Sequence, residues 1–125
     1  IPNEHEAAIL TGCDTSLKSG IEMAAKKLLE MGARNVIITR GAAGIYWANE
    51  RIGKEIPAYK IQPLDTTAAG DAFCGVFASG LSEGLDEETS LLMAMAAGAL
   101  AATKTGATTS LPLRREIASL MERNP

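Results

Sequence analysis

Cysteine and histidine are scarce in this 125-residue sequence, with two cysteines, Cys13 and Cys74, and a single histidine, His5. The thiols stand far apart and outside any C-x-x-C spacing, which excludes a cysteine-built zinc or redox site and suits free thiols in a reducing compartment. His5 reads as a solvated helix residue rather than a ligand or catalyst. Excess positive charge is also missing. The formal net charge is −3, far from the basic field that a phosphate backbone requires, so nucleic acid is not an expected partner. No apolar run approaches the roughly 20 residues that span a bilayer, and a soluble, cytoplasmic protein without a membrane partner is expected. No Lys/Arg-headed apolar leader opens the sequence, which begins at Ile1-Pro2-Asn3 in the manner of a piece cut from a longer protein. Internal repeats and low-complexity linkers are absent too.

What is present is ample apolar material, 46% of the residues, enough for one domain around a single core. Between Ser19 and Met31 the residues Ile21, Ala24, Ala25, Leu28 and Leu29 recur at helical spacing, and Gly32 follows where a C-cap would sit. The β-branched run Asn35-Val36-Ile37-Ile38-Thr39 then predicts a strand buried on both faces, so the order of elements is that of an α/β sandwich. Ile45 to Ala48 and Lys54 to Ile61 read as short antiparallel ribbons joined by turns, with Tyr46 and Trp47 as packing residues rather than a base-stacking platform. Further helices are predicted over 69–83, 87–103 and 114–123. The second of these is rich enough in alanine for two helices to pack closely against it.

The chemistry-bearing segment is Asp65-Thr66-Thr67-Ala68-Ala69-Gly70-Asp71-Ala72-Phe73, which passes from a loop into a helix start. Unpaired N–H groups and about half a positive charge at a helix N-terminus favour phosphate or a developing anion. A carboxylate beside such a turn can accept a hydroxyl proton while the amides stabilise a transferring phosphoryl group. An acidic residue in this position also commonly caps a helix, and the segment alone leaves both roles open.

This segment resembles the D-T-x-[GA]-A-G-D-x-F signature of the ribokinase-like (PfkB) carbohydrate kinases, with Ala68 where many members carry glycine. Three more segments resemble the same family in the same order: Pro2-Asn3-Glu4-His5-Glu6, Thr39-Arg40-Gly41-Ala42-Ala43-Gly44, and Thr103-Lys104-Thr105-Gly106-Ala107 with Ser110-Leu111-Pro112. The resemblance implies the C-terminal part of a three-layer α/β/α fold across residues 1–125, holding the nucleotide-binding and catalytic portion but not the N-terminal half with its lid and most sugar contacts. It implies Asp71 as the base and the backbone of Ala68, Ala69, Gly70 and Asp71 as an anion hole. Asn3, Thr39, Gly41, Gly44 and Gly70 would border the nucleotide, and Glu6 with Asn3 would help place Mg²⁺. A potassium site would be made by the Asp65 carboxylate, the Ser110 hydroxyl and the carbonyls of Thr67, Ala101, Lys104 and Gly106.

The implied activity is ATP-dependent phosphorylation of a sugar hydroxyl, with ribose as the leading acceptor and ATP, Mg²⁺ and K⁺ as cofactors. Deoxyribose, fructose, tagatose 6-phosphate, adenosine and a keto-deoxy acid are alternative acceptors within the family. A non-catalytic nucleotide-binding or interaction module is the alternative of another class. The resemblance leaves room for a homodimer of the complete protein, and the isolated piece is expected to be inactive.

Overall fold

The computed structural model describes residues 1–124, which divide into two compact units, one from Ile1 to Ala58 and one from Tyr59 onward. The apolar residues expected to form a single core include one cluster in each unit. One contains Ala7, Ile21, Ala24, Val36, Ile38 and Tyr46, the other Ala72, Ala96, Ala97, Ala101 and Ile117.

In the first unit, Asn3 starts α1 (Glu4–Thr11) through a reciprocal cap. Its Oδ1 accepts from the Glu6 N–H at 2.8 Å, and Glu6 Oε2 accepts from the Asn3 N–H at 2.9 Å. Helix α2 (Lys18–Glu30) buries Ile21, Ala24 and Ala25, the stripe expected from the spacing, with Leu28 and Leu29 against the same core. Strand β1 (Asn35–Thr39) has the predicted bounds, and Val36, Ile37 and Ile38 are all buried. Burial on both faces is typical of a parallel strand, yet the pairing here is antiparallel.

The sheet order is β1, β2 (Ile45–Asn49), β3 (Gly53–Ile56). Asn35 lies opposite Asn49, and Ile45 opposite Ile56. Among the described residues the only parallel pairing is an isolated bridge between Asn3 and Thr39, where the Thr39 N–H donates to the Pro2 carbonyl at 2.9 Å. Strand β3 ends at Ile56, short of the expected Ile61, because Pro57 has no N–H for the ladder. Gly44 stands just before β2 with φ 92°, and a Cβ there would lie 2.0 Å from the Ile56 carbonyl oxygen, so only glycine fits this turn.

The second unit is helical: α3 (Ala69–Ser82), α4 (Glu87–Ala102) and α5 (Arg114–Arg123). Asp86 caps α4, its Oδ1 accepting from the Thr89 N–H at 2.9 Å. Helix α4 buries Ala94, Ala96, Ala97, Ala101 and Ala102, and both α3 and α5 lie against it, as its composition predicted. Two glycines set the closeness of α3 and α4. A Cβ at Gly80 would come within 2.7 Å of Ser90 Oγ, and one at Gly98 within 3.1 Å of the Ala69 carbonyl oxygen. No described helix is long and apolar enough to cross a membrane.

Candidate functional site

The loop before α3 is tied to the loop after α4. The N–H groups of Leu64 and Asp65 both donate to the Ala102 carbonyl, at 2.7 and 3.1 Å. Asp65 Oδ1 accepts from the Thr67 N–H and hydroxyl, and Oδ2 accepts from the Gly106 N–H at 3.0 Å. The Thr67 hydroxyl first, then the Gly106 and Thr67 amides, hold the Asp65 carboxyl below the ordinary range, so it is a carboxylate at neutral pH.

Across the loop, the Lys104 N–H donates to the Ala101 carbonyl at 3.2 Å. The fully buried Ser110 donates its hydroxyl to the Ala107 carbonyl at 2.6 Å, which leaves the oxygen's lone pairs open. Asp65, Thr67 and Gly106 are thus joined by hydrogen bonds, and the pairs Ala101–Lys104 and Ser110–Ala107 are bonded in the same part of the second unit. Among the described residues no group of three or more His, Cys, Asp or Glu could hold a metal. One carboxylate, one hydroxyl and neutral carbonyls make a hard-oxygen donor set of low charge, which fits a monovalent cation.

Asp71 lies in the first turn of α3. Its side chain is exposed and makes no hydrogen bond or ion pair with the described residues. The Ala69 N–H is taken up by the Thr66 carbonyl at 3.2 Å and the Ala72 N–H by the Ala68 carbonyl at 2.9 Å. Those of Gly70 and Asp71 have no acceptor among the described residues. Ala68 is buried and begins the turn. A Cβ at Gly70 would meet nothing within 4 Å, so the chain's own packing does not demand glycine there. The bare backbone is left accessible to whatever approaches the turn.

The remaining predicted residues are in the first unit. Asn3 and Glu6 engage each other in the α1 cap, with Glu6 Oε2 occupied by the Asn3 N–H. Both are exposed. One carboxylate with an amide beside it fits an ion that keeps much of its water, as Mg²⁺ does. Thr39 is brought next to Asn3 by the parallel bridge, and Gly41 and Gly44 shape the turn that follows. Gly41 has φ 51° and opens a short 3₁₀ turn, Gly41–Ala43. The Arg40 N–H closes the turn onto the Gly44 carbonyl at 2.8 Å.

Sequence reasoning passed over Arg40. Its guanidinium, only 17% exposed, reaches Glu4 Oε1 at 3.4 Å and Glu55 Oε1 at 2.7 Å, and so ties the turn to α1 and to β3. Lys18 joins the cluster at 3.2 Å, and it and Arg40 together hold the Glu55 carboxyl below its ordinary range. The only signal in the sequence was a charge inside a Gly-flanked turn, with both partners remote along the chain.

The chain belongs to the pfkB family of carbohydrate kinases, whose model matches residues 1–114. It is 36% identical over 121 residues to a ribokinase of Haemophilus influenzae, covering 97% of this chain and 40% of the relative. Among solved structures, it is similar to an Arabidopsis thaliana ribokinase complexed with ribose and ATP, with a TM-score of 0.90 and 32% identity, covering 97% of this chain and 39% of that one. It is also similar to a double mutant of a Vibrio cholerae fructokinase bound to fructose, ADP and potassium ion. There the TM-score is 0.83 and the identity 29%, covering 94% of this chain and 38% of that one. The fold is thus part of the ribokinase-like α/β fold, and the chain spans about 40% of the length of its curated relatives.

Proposed function

We propose that this chain is the C-terminal nucleotide-binding and catalytic part of a sugar kinase that transfers the γ-phosphoryl group of ATP to a primary hydroxyl of ribose, giving ribose 5-phosphate and ADP. The observation that carries the reading is the start of α3. There the unpartnered Asp71 carboxylate sits beside two unpaired N–H groups and the bare backbone of Gly70.

Asp71 accepts the proton of the sugar hydroxyl as its oxygen bonds to the γ-phosphorus. The bond from that phosphorus to the β,γ-bridging oxygen breaks, and ADP leaves with the electron pair. Of the amides in the anion-hole turn Ala68, Ala69, Gly70 and Asp71, that of Ala69 is committed to the Thr66 carbonyl. Two of them, Gly70 and Asp71, are free to donate to the transferring phosphoryl group, and fixed donors of this kind are typically worth about 3 kcal/mol each in a transition state. Asn3, Thr39, Gly41 and Gly44 take nucleotide-binding roles. Asn3 and Glu6 would hold Mg²⁺, which supplies charge neutralisation on the phosphates. Asp65, Ser110 and the carbonyls of Thr67, Ala101, Lys104 and Gly106 would hold K⁺, which supplies fixed positive charge near the anion turn. A cytoplasmic setting agrees with the two free thiols, Cys13 and Cys74.

An ADP-release assay of the full-length kinase against ribose, deoxyribose, fructose, tagatose 6-phosphate and adenosine tests this. Fastest turnover with ribose supports the reading. A different preferred acceptor replaces the substrate, and no acceptor-dependent release with any sugar or nucleoside removes the kinase assignment.

A further inference from the structure

Lys104, in the loop between α4 and α5, is held at two points. Its N–H donates to the Ala101 carbonyl, and its ammonium donates to Glu116 Oε1 at 2.9 Å. Glu116 stands in the first turn of α5, where its other oxygen, Oε2, accepts the Leu113 N–H at 2.6 Å. One carboxylate thus fixes both ends of the segment 104–113. Between those ends, Gly106 is tied to Asp65 and the Ser110 hydroxyl to Ala107.

We infer that Glu116 is a positioning residue that acts through Lys104 to fix the loop carrying the monovalent cation's carbonyl and hydroxyl ligands. This inference rests on the kinase reading and its cation site. Carbonyl ligands bring no net charge, so the affinity of such a site depends on how accurately the loop holds them. Neither side chain touches the cation itself.

The competing account is that Glu116 merely caps α5, a common task for a carboxylate in a first helical turn. Two substitutions separate the accounts. Glu116→Gln keeps an oxygen for the Leu113 N–H but removes the charge facing Lys104. Lys104→Met leaves the cap untouched and removes the pair.

The test uses the full-length kinase and two readouts. One is the rise in Tm when KCl replaces NaCl at constant ionic strength, and the other is the KCl concentration giving half-maximal turnover. Each variant is expected to shrink the potassium-specific rise in Tm. Each should also raise the half-maximal KCl concentration about twofold to fivefold, the span that a half-exposed ion pair converts to. The double variant should be no worse than the weaker single, and Lys104→Arg should restore the wild-type potassium requirement. If Lys104→Met leaves both readouts unchanged, the inference is overturned while the kinase reading stands. A wild-type kinase that turns over sugar equally in sodium and potassium, with no potassium-specific rise in Tm, overturns the inference and the cation site together. In a protein without kinase activity the potassium-specific rise in Tm decides the inference alone, and its insensitivity to both substitutions overturns it.

Discussion

The carboxylate of Asp65 accepts the N–H of Gly106, forty-one residues further along the chain, at 3.0 Å. That bond joins the approach to the anion turn with the loop after α4, so a cation held by this assembly would stabilise both. Potassium is accordingly expected to stimulate the full-length kinase where sodium does so poorly, and Asp65→Ala should abolish the difference. Titrating KCl against NaCl at constant ionic strength measures it. Equal stimulation of the wild type by both salts would remove the site.

Asp71→Asn preserves shape at the start of α3 and removes proton acceptance. Turnover should fall by about 10²-fold or more, while ATP affinity, measured by calorimetry, stays near wild type. Turnover close to normal would strip Asp71 of its role as base.

Ser90 is fully buried in α4, and its hydroxyl has no hydrogen-bond partner among the described residues. A lone buried hydroxyl is costly, and alanine is the better helix former. Ser90→Ala should therefore stabilise the protein by about 1 kcal/mol, read as a higher midpoint in denaturant melts. A loss of stability would mean that the hydroxyl has an unseen partner.

Arg114 grips Glu83 with two hydrogen bonds, Nη1 to Oε1 at 3.0 Å and Nη2 to Oε2 at 2.7 Å. Arg114 first, and Ser79 after it, hold the Glu83 carboxyl below its ordinary range. A carboxylate depressed in the folded state contributes stability above its unfolded pKa and loses it as the pH falls through the folded value. The Tm gap between wild type and Arg114→Gln should therefore be steady near neutral pH and close on acidification through the carboxylate range. The pair is exposed, so the effect is small and best measured at low salt. A gap that widens in acid would contradict the assignment.

Much of the architecture was legible in the sequence because burial there follows simple periods. The helical stripe of Ile21, Ala24 and Ala25, the run Val36 to Ile38 and the alanines of α4 each declared their element. The antiparallel ribbon of β2 and β3 was legible, but the direction in which β1 pairs was not. Val36, Ile37 and Ile38 satisfy burial on two faces whichever way the neighbouring strand runs, and only the short Gly41–Gly44 turn makes the antiparallel return possible. The division into two compact units was hidden for a related reason, since apolar content says nothing about how it is divided. At the proposed site, the signature singled out Asp65 and Asp71. It carried no trace of Arg40 or Glu116, whose partners are fixed by folding rather than by spacing.

Both hairpins of the first unit join strands that are neighbours along the chain, closed by turns of a few residues, whereas the Asp65 to Gly106 contact closes a far longer loop. Each doubling of loop length adds about 0.6 kcal/mol of closure entropy, and folding rates follow the locality of contacts. The ribbon should therefore assemble early, and the cation loop should be the last part of the chain to acquire its shape. Trp47, the single tryptophan, lies on β2 and reports on the early event. In stopped-flow refolding its fluorescence should settle at a rate independent of potassium, with potassium accelerating only a later phase. A potassium-dependent tryptophan phase would reverse that order.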